Sequence, residues 1–102
     1  MTARRLVFLQ SFETDLDDHT AFYNGRRRGL GAVFAAEVRA GIEVAVDWPE
    51  SCPEVDGGVR RKWLNRFPHA IVYRIEDDSI IFIGVFHGAQ DFEQWLNIHP
   101  KG

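Results

Sequence analysis

The stretch LGAVFAAEVRAGIEVAV, residues 30–46, decides the fold because it carries the strongest periodic signal in the chain. Its large apolar side chains recur every four residues, at Leu30, Phe34, Val38, Ile42 and Val46. Side chains four apart lie on one face of an α-helix, so the spacing predicts a helix with an apolar stripe. Pro49 and Pro53 follow, and since proline disfavours helical backbone at the preceding residue, we expect the helix to stop near Trp48.

The segment before this helix predicts another helix, from Ser11 to Arg28. Ser11 and Thr14 are candidate N-caps, three aspartates crowd the expected first turn and three arginines fill the last, which complements the helix dipole. Because Gly29 ends this helix just before the next one starts, we predict an antiparallel helical hairpin. Further upstream, the apolar run RLVFLQ at residues 5–10 predicts a strand.

Beyond the second helix the hydrophobic period changes. Residues 50–58 are rich in Pro, Gly, Asp and Ser, which predicts a loop, and residues 60–65, 70–75 and 80–87 alternate with period two, which predicts three strands. The EDDS link at residues 76–79 has turn chemistry, so the last two strands should form an antiparallel hairpin. We therefore predict an α+β fold with an N-terminal strand, an antiparallel helical hairpin, and a three-stranded antiparallel meander forming one twisted sheet.

Length and composition limit the organisation of the chain. With 102 residues, of which 45% are hydrophobic, residues 1–102 are expected to form a single domain. The longest apolar run is far shorter than the roughly 20 residues that cross a bilayer, so we expect a cytoplasmic protein with no membrane partner. Cys52 is the single cysteine, and the four histidines lack metal-ligand spacing, so we predict no disulfide, no metal site and no cofactor.

A set of short motifs runs along nearly the whole chain. They are DL at 15–16, YxxxxxGLG at 23–31, FxxEVxxxIxxxV at 34–46, WPESCP at 48–53, RRxxLxRFPxxIxYRIEDD at 60–78, IxxxxVxH at 80–87 and Trp95. Their order and spacing resemble the ParE/RelE superfamily of toxins, and look most like ParE-type plasmid-stabilisation toxins of type II toxin–antitoxin systems. The resemblance implies a RelE/ParE-like fold, growth inhibition, and a hetero-oligomer with a cognate antitoxin that neutralises the toxin. RelE-type members cut mRNA on the ribosome, whereas characterised ParE-type members inhibit DNA gyrase.

The two branches make different demands on the residues. RelE-type cleavage is a metal-independent attack of a ribose 2′-hydroxyl on the adjacent phosphate, which needs a base, an acid and a cation. Candidates for these roles, if the chain is such an endoribonuclease, are Arg60, Arg61, Arg66 and His87. The superfamily commonly has arginine at the end of HxxR, where this chain has Gln90. The departure removes a candidate phosphate clamp, which argues against RNase chemistry and also weakens the match to the ParE tail. The same departure, with the acidic net charge, leaves open an inactive toxin-like domain.

The sequence RRKWLNRFPHAIVYRI, residues 60–75, contains five cations and no carboxylate in a chain of formal net charge −3. By itself such a run is typical of a solvated strand face. Together with the resemblance it favours a surface for an acidic antitoxin, and the net charge argues against broad nucleic-acid affinity. We predict that Arg60, Lys62 and Arg74 share one face of the sheet and contact the antitoxin or the target.

Three residues near the end of the chain are further candidates for a functional role. Gln90 and Trp95 are predicted to contact the antitoxin or the target, although most aromatic side chains belong to cores. His87 is an acid or base by residue type, or else a core or edge histidine satisfied by the backbone. The leading hypothesis is a toxin that binds and inhibits DNA gyrase. The alternatives are a ribosome-dependent mRNA endoribonuclease and an inactive domain.

Overall fold

The computed structural model describes residues 4–99, which form eight regular helices and strands. In chain order they are β1 (Arg5–Phe8), α1 (Gln10–Arg26), α2 (Leu30–Asp47), β2 (Glu54–Val55), β3 (Val59–Trp63), β4 (His69–Glu76), β5 (Ser79–His87) and α3 (Phe92–Ile98). A short 3₁₀ turn, Asp56–Gly58, separates β2 from β3. The predicted α+β class, N-terminal strand, helical hairpin and meander are confirmed. No helix within these residues is long and apolar enough to cross a membrane.

The strands form one five-stranded sheet in the order β1-β5-β4-β3-β2. β1 pairs in parallel with β5, from Arg5 opposite Ser79 to Phe8 opposite Phe82. The other neighbours are antiparallel, and the register between β4 and β5 shifts between Val72 and Tyr73. β2 was predicted as loop, because two paired residues are too short to produce an alternating pattern.

Apolar side chains cover both faces of the sheet. The face under α1 and α2 carries the larger core, formed by Phe12, Phe34, Val38, Ala45, Leu64, Ile71, Tyr73, Ile80, Phe82 and Val85. The opposite face carries a second core, formed by Val59, Ala70, Val72, Ile81, Ile83, Phe86, Trp95 and Leu96. Two members of the second core belong to α3, which was not predicted. Asp91 caps α3 by accepting a hydrogen bond from the Gln94 amide at 3.0 Å.

The start of α1 differs from the predicted start for a reason that affects the sheet. The helix begins at Gln10, and its N-cap, Leu9, makes no side-chain hydrogen bond. Ser11 was predicted as a cap, but its hydroxyl donates to the Ile83 carbonyl at 2.5 Å. β1 pairs with β5 only as far as Phe82, so the Ser11 side chain continues to satisfy the β5 edge where β1 ends.

The hairpin between the helices depends on glycine at two positions. Gly29, with φ of 86°, has a left-handed backbone conformation in which most other residues are strained. The Gly31 backbone amide donates to Asn24 Oδ1 at 2.8 Å. A Cβ at position 31 would lie 2.6 Å from the side-chain nitrogen of Asn24, Nδ2. The predicted antiparallel hairpin therefore closes through a hydrogen bond from the start of α2 to the last turns of α1.

Candidate functional site

Arg60 is bound to the loop that follows α2. Its Nη1 donates to the Cys52 carbonyl at 2.5 Å and its Nη2 lies 3.6 Å from a Glu54 carboxylate oxygen. Only 16% of the side chain is exposed. The Tyr73 hydroxyl donates to the Pro49 carbonyl at 2.7 Å in the same loop. Arg60 thus holds the loop in place, and its guanidinium is largely committed to that task.

The three cations predicted to share one face of the sheet do not share it. Opposite residues on antiparallel strands point to the same face, and Arg60 is opposite Tyr73 while Lys62 is opposite Ile71, both on the helix-covered face. Arg74 is opposite Ile81, on the face covered by α3. The prediction was wrong because alternation orders residues within a strand, while the register between strands sets which residues of two strands face the same way.

Arg74 and Arg61, on the second face, already have partners within the chain. Arg74 forms an ion pair with Glu76, and its Nε is buried without a hydrogen-bond partner. The Arg61 guanidinium lies 4.7 Å from the centre of the Phe92 ring and 5.7 Å from that of Trp63, which are cation–π contacts. Arg61 therefore fastens α3 to β3.

Arg66 is paired with a carboxylate from α2. Its Nε lies 3.0 Å from Glu37 Oε2, and the backbone amides of Asn65 and Arg66 each donate to Glu37 Oε1 at 2.6 Å. Burial raises the pKa of Glu37, but the hydrogen bonds from Arg66 and Asn65 outweigh it and leave the pKa below its ordinary value. Glu37 therefore remains an anion at the point where β3 ends.

His87 and Gln90 form a tight turn at the end of β5. The His87 amide donates to Gln90 Oε1 at 3.0 Å, and the Ala89 amide donates to His87 Nδ1 at 2.9 Å. An arginine side chain, having no acceptor atom, could not replace this contact of Gln90. The departure from HxxR is therefore accompanied by a local hydrogen bond that only an acceptor such as glutamine can make.

The four candidate catalytic residues are not assembled into one site. Arg60 and Arg61 point to opposite faces, and Arg66 binds α2. His87 is opposite His69 at the start of β4, whereas Arg60 is opposite Tyr73 in the middle of that strand. Within residues 4–99 no three His, Cys, Asp or Glu side chains are arranged to hold a metal ion. Trp95, predicted as a contact residue, is 4% exposed and stacks on His99 inside the second core, so its ring is not available to a partner.

A groove that the sequence did not predict lies between α2 and the outer strand β3. Its volume is about 80 Å³, and it is lined by Glu37, Ala40, Gly41, Val44, Lys62, Trp63, Leu64 and Asn65. Gly41 permits the close approach of α2, because a Cβ there would lie 2.7 Å from the Ile71 side chain. Val44 is 40% exposed at the rim. The Trp63 ring is 42% exposed and lies on the second face of the same strand, against Phe86. Lys62 is the one cation among the lining residues, and Glu37 is the one carboxylate, already paired with Arg66. The groove therefore combines apolar walls with a lysine that has no ion pair among the described residues.

The backbone of β3 is open beside this groove. The Leu64 amide donates to the His69 carbonyl at 2.8 Å, and since peptide groups alternate along an antiparallel strand, those of Arg61 and Trp63 point away from β4. β2 pairs only with Val59 and Arg60. Across the described residues, then, no strand covers the outer edge at Arg61 and Trp63, and this edge can accept an added strand.

Comparison with known proteins identifies similar proteins in both sequence and structure. Residues 6–92 match the family model described as the ParE toxin of the type II toxin–antitoxin system parDE. A solved structure described as the chromosomal ParDE system from P. aeruginosa is similar, with a TM-score of 0.75, 16% identity, and coverage of 83% of this chain and 96% of that one. The conserved hypothetical protein HP0894 from Helicobacter pylori has a TM-score of 0.52, 19% identity, and coverage of 81% and 92%. No curated protein matches the chain significantly.

Proposed function

Because the chain belongs to the family of ParE toxins of type II toxin–antitoxin systems, we propose that it inhibits DNA gyrase by binding and is neutralised by a cognate antitoxin. The free toxin acts in the cytoplasm. In its silenced state it forms a hetero-oligomer with the antitoxin. The observation that favours binding over RNA cleavage is the dispersal of four candidate catalytic residues over two faces and separate positions of the sheet: Arg60, Arg61, Arg66 and His87. General acid–base chemistry needs such groups within hydrogen-bond reach of one substrate.

The groove between α2 and β3, together with the open edge of β3, is the surface we assign to the antitoxin. An extended segment pairing with Arg61 and Trp63 would satisfy their outward peptide groups. Its apolar side chains would cover Val44 and Trp63, and its carboxylates would approach Lys62. The charge of Lys62 is available for this purpose, whereas that of Arg60 is already bound to the loop.

The cellular mechanism is tested by overproducing the chain without its antitoxin and by adding purified protein to a gyrase supercoiling reaction. We expect slowed growth, filamentation, inhibited supercoiling and intact mRNA. Cutting of mRNA within codons on purified ribosomes would replace gyrase inhibition by the endoribonuclease alternative. Normal growth at high soluble expression, with unaffected supercoiling, would establish the inactive-domain alternative.

The position of Gln90 gives a second test of the same choice. If the chain is an endoribonuclease weakened by the missing guanidinium, Gln90→Arg should raise cleavage by roughly 10²-fold, the effect of one electrostatic stabiliser. We expect no cleavage by either form. The variant also loses the acceptor for the His87 amide, so its fold is checked by circular dichroism before the comparison.

The antitoxin surface is tested with the small protein encoded beside the toxin as the binding probe. We expect Lys62→Glu to weaken binding by roughly tenfold or more, since attraction becomes repulsion. Arg39→Glu is the matched control, because Arg39 is an exposed cation of α2 that does not line the groove. Equal loss in the two variants would show that overall charge, and not the groove, governs binding.

A further inference from the structure

Three histidine rings stand in a row where α1 meets one end of the sheet. His19 comes from α1, His69 begins β4 and His87 ends β5. The ring centres of His19 and His69 are 4.6 Å apart, those of His69 and His87 are 4.7 Å apart, and both contacts are edge-to-face. We call these three residues the histidine row. The row connects a helix with two strands. Attraction or repulsion between its rings therefore affects the packing of α1 against the sheet.

The middle ring is buried without a polar partner. His69 has 0% exposure, and neither of its ring nitrogens makes a hydrogen bond. Besides the two histidines, the rings of Phe34 and Tyr23 lie 5.0 and 5.7 Å from it. A neutral imidazole here leaves one N–H group unpaired, whereas an imidazolium would leave two and add a buried charge. The site therefore favours the neutral form of His69.

The charged groups around the row do not compensate a proton on His69. Burial, followed by repulsion from His19 and His87, lowers the pKa of His69 to about 4. β5 places the His87 ring beside His69, and α2 places the apolar Phe34 ring there. The Tyr23 hydroxyl of α1 is neutral, because burial raises its pKa above the ordinary value.

The carboxylates near the row belong to α1 and act on His19. Burial lowers the pKa of His19, against Asp15, the backbone of Val85 and, more weakly, Asp18, all of which raise it. Asp15 Oδ2 also accepts a hydrogen bond from the Val85 amide at 2.9 Å and lies 3.0 Å from His99 Nε2 at the end of α3, so one carboxylate serves His19, the edge of β5 and His99. The carboxylates of α1 thus stabilise a proton on His19, and they do not compensate a charge on His69.

We propose that the histidine row is an acid-sensitive lock that holds α1 on the β4–β5 end of the sheet. When protons enter the row, the rings repel one another, and the repulsion is relieved by movement of His19, and with it α1, away from His69. The Asp15 contact to Val85 is lost in the same step, which uncovers the edge of β5. The lock stands on the geometry of the row and is independent of the cellular target of the toxin.

The direction of the pH effect follows from the lowered pKa of His69. Between about pH 4 and 6.5 the unfolded chain binds a proton at this residue that the folded chain does not. Stability from this group is therefore complete above pH 6.5 and is lost as the pH falls toward 4. For one such proton the unfolding equilibrium constant rises up to about tenfold per pH unit.

Urea unfolding of the full chain between pH 4.5 and 7.5, followed by circular dichroism, tests the lock. We expect the unfolding constant of the unsubstituted protein to rise about tenfold per unit as the pH falls below 6. In His69→Phe, which fills the aromatic site without a titrating nitrogen, most of this dependence should disappear. An unchanged pH dependence in that variant would overturn the proposal.

Two further measurements keep the test decisive if His69→Phe folds poorly. His19→Gln removes one end of the row at a half-buried position and should reduce the pH dependence in the same direction. In hydrogen exchange at pH 5.5, corrected for intrinsic rates, the Val85 amide should lose protection before the amides between β3 and β4. Nuclear magnetic resonance can follow the titration of His69 in the folded protein. A midpoint at the ordinary pKa of 6.5 would show that protonation costs the fold nothing, and it would overturn the proposal.

Discussion

At the scale of single residues, Gly84 shows how little space the fold leaves at the middle of β5. A Cβ at this position would collide with the Asp15 carboxylate and lie 2.6 Å from Cζ2 of Trp95. These two side chains come from α1 and α3. The absence of a side chain at Gly84 therefore lets both helices approach the same strand, and the carboxylate reach the Val85 amide.

Gly84→Ala is predicted to destabilise the fold by about 1–3 kcal/mol, the usual cost of overpacking a core. Gly25→Ala is the matched control, because a Cβ there meets nothing within 4 Å and the residue lies inside α1. That variant should be neutral or up to about 1 kcal/mol more stable, since alanine favours helices. Urea unfolding at pH 7 measures both. Equal stability of the two variants would contradict the proposed crowding at Gly84.

The sequence shows which residue types lie near the candidate site, but not which contacts each side chain makes. A run of cations can be read from the sequence, but Arg60 is taken up by carbonyl groups of a loop whose path depends on the whole fold. Lys62, two positions later, remains at the groove. Residue type and alternation cannot distinguish the roles of Arg60 and Lys62. The difference depends on which groups surround each side chain in the folded protein.

At the scale of elements, one carboxylate joins α2 to the connection between β3 and β4. Glu37 accepts hydrogen bonds from the backbone amides of Asn65 and Arg66 as well as from the Arg66 side chain. Its own side chain is 10% exposed, while that of Arg66 is 70% exposed. Most of the energy of this contact should therefore come from the two hydrogen bonds of the backbone amides to the carboxylate, and little from the exposed ion pair.

Glu37→Ala is predicted to cost about 2–3 kcal/mol, because it leaves two backbone amides without their charged acceptor. Arg66→Ala should cost less than about 1 kcal/mol, as expected for an exposed ion pair. Since the pKa of Glu37 is lowered on folding, its contribution is present above the unfolded value of 4.5 and is lost as the pH falls below it. Thermal unfolding at pH 7 and pH 3.5 checks both statements, and an arginine effect equal to the glutamate effect would refute them.

Elements with a strong local pattern were predicted, whereas those defined by distant partners were not. The spacing of four residues in α2 specified a helix without any tertiary information. β2 consists of two residues that are strand only because Val59 and Arg60 lie beside them. The spacing of Phe92, Trp95 and Leu96 is that of a helix face, but over seven residues it is too short to distinguish from a loop.

At the scale of the whole molecule, a single sheet separates two hydrophobic cores, and the helices that cover them differ in number and length. Two long helices pack on one face, while the other face depends on a helix of seven residues. Trp95 is the largest side chain that this helix contributes, and it contacts Phe86, Phe92 and His99 through its ring. The second core should therefore be sensitive to the loss of one side chain.

Trp95→Ala is predicted to destabilise the protein by about 3–5 kcal/mol, a large part of the stability of a domain of this size. Trp48→Ala is the control, because 69% of Trp48 is exposed, and it should change stability by less than about 0.5 kcal/mol. Circular dichroism in urea measures both without relying on tryptophan fluorescence. If Trp95→Ala unfolds like the control, Trp95 is available for the contact role that its burial excludes.

The parallel pairing of β1 with β5 has a consequence for synthesis of the protein. Arg5 obtains its partner only when Ser79 has been made, and Ser11 must wait for Ile83. A growing chain can therefore form the helical hairpin early, but it cannot close the edge of the sheet until nearly all of β5 has left the ribosome. A nascent chain that stops before β5 would lack this closure and would leave the backbone of its first strand unpaired and open to proteases.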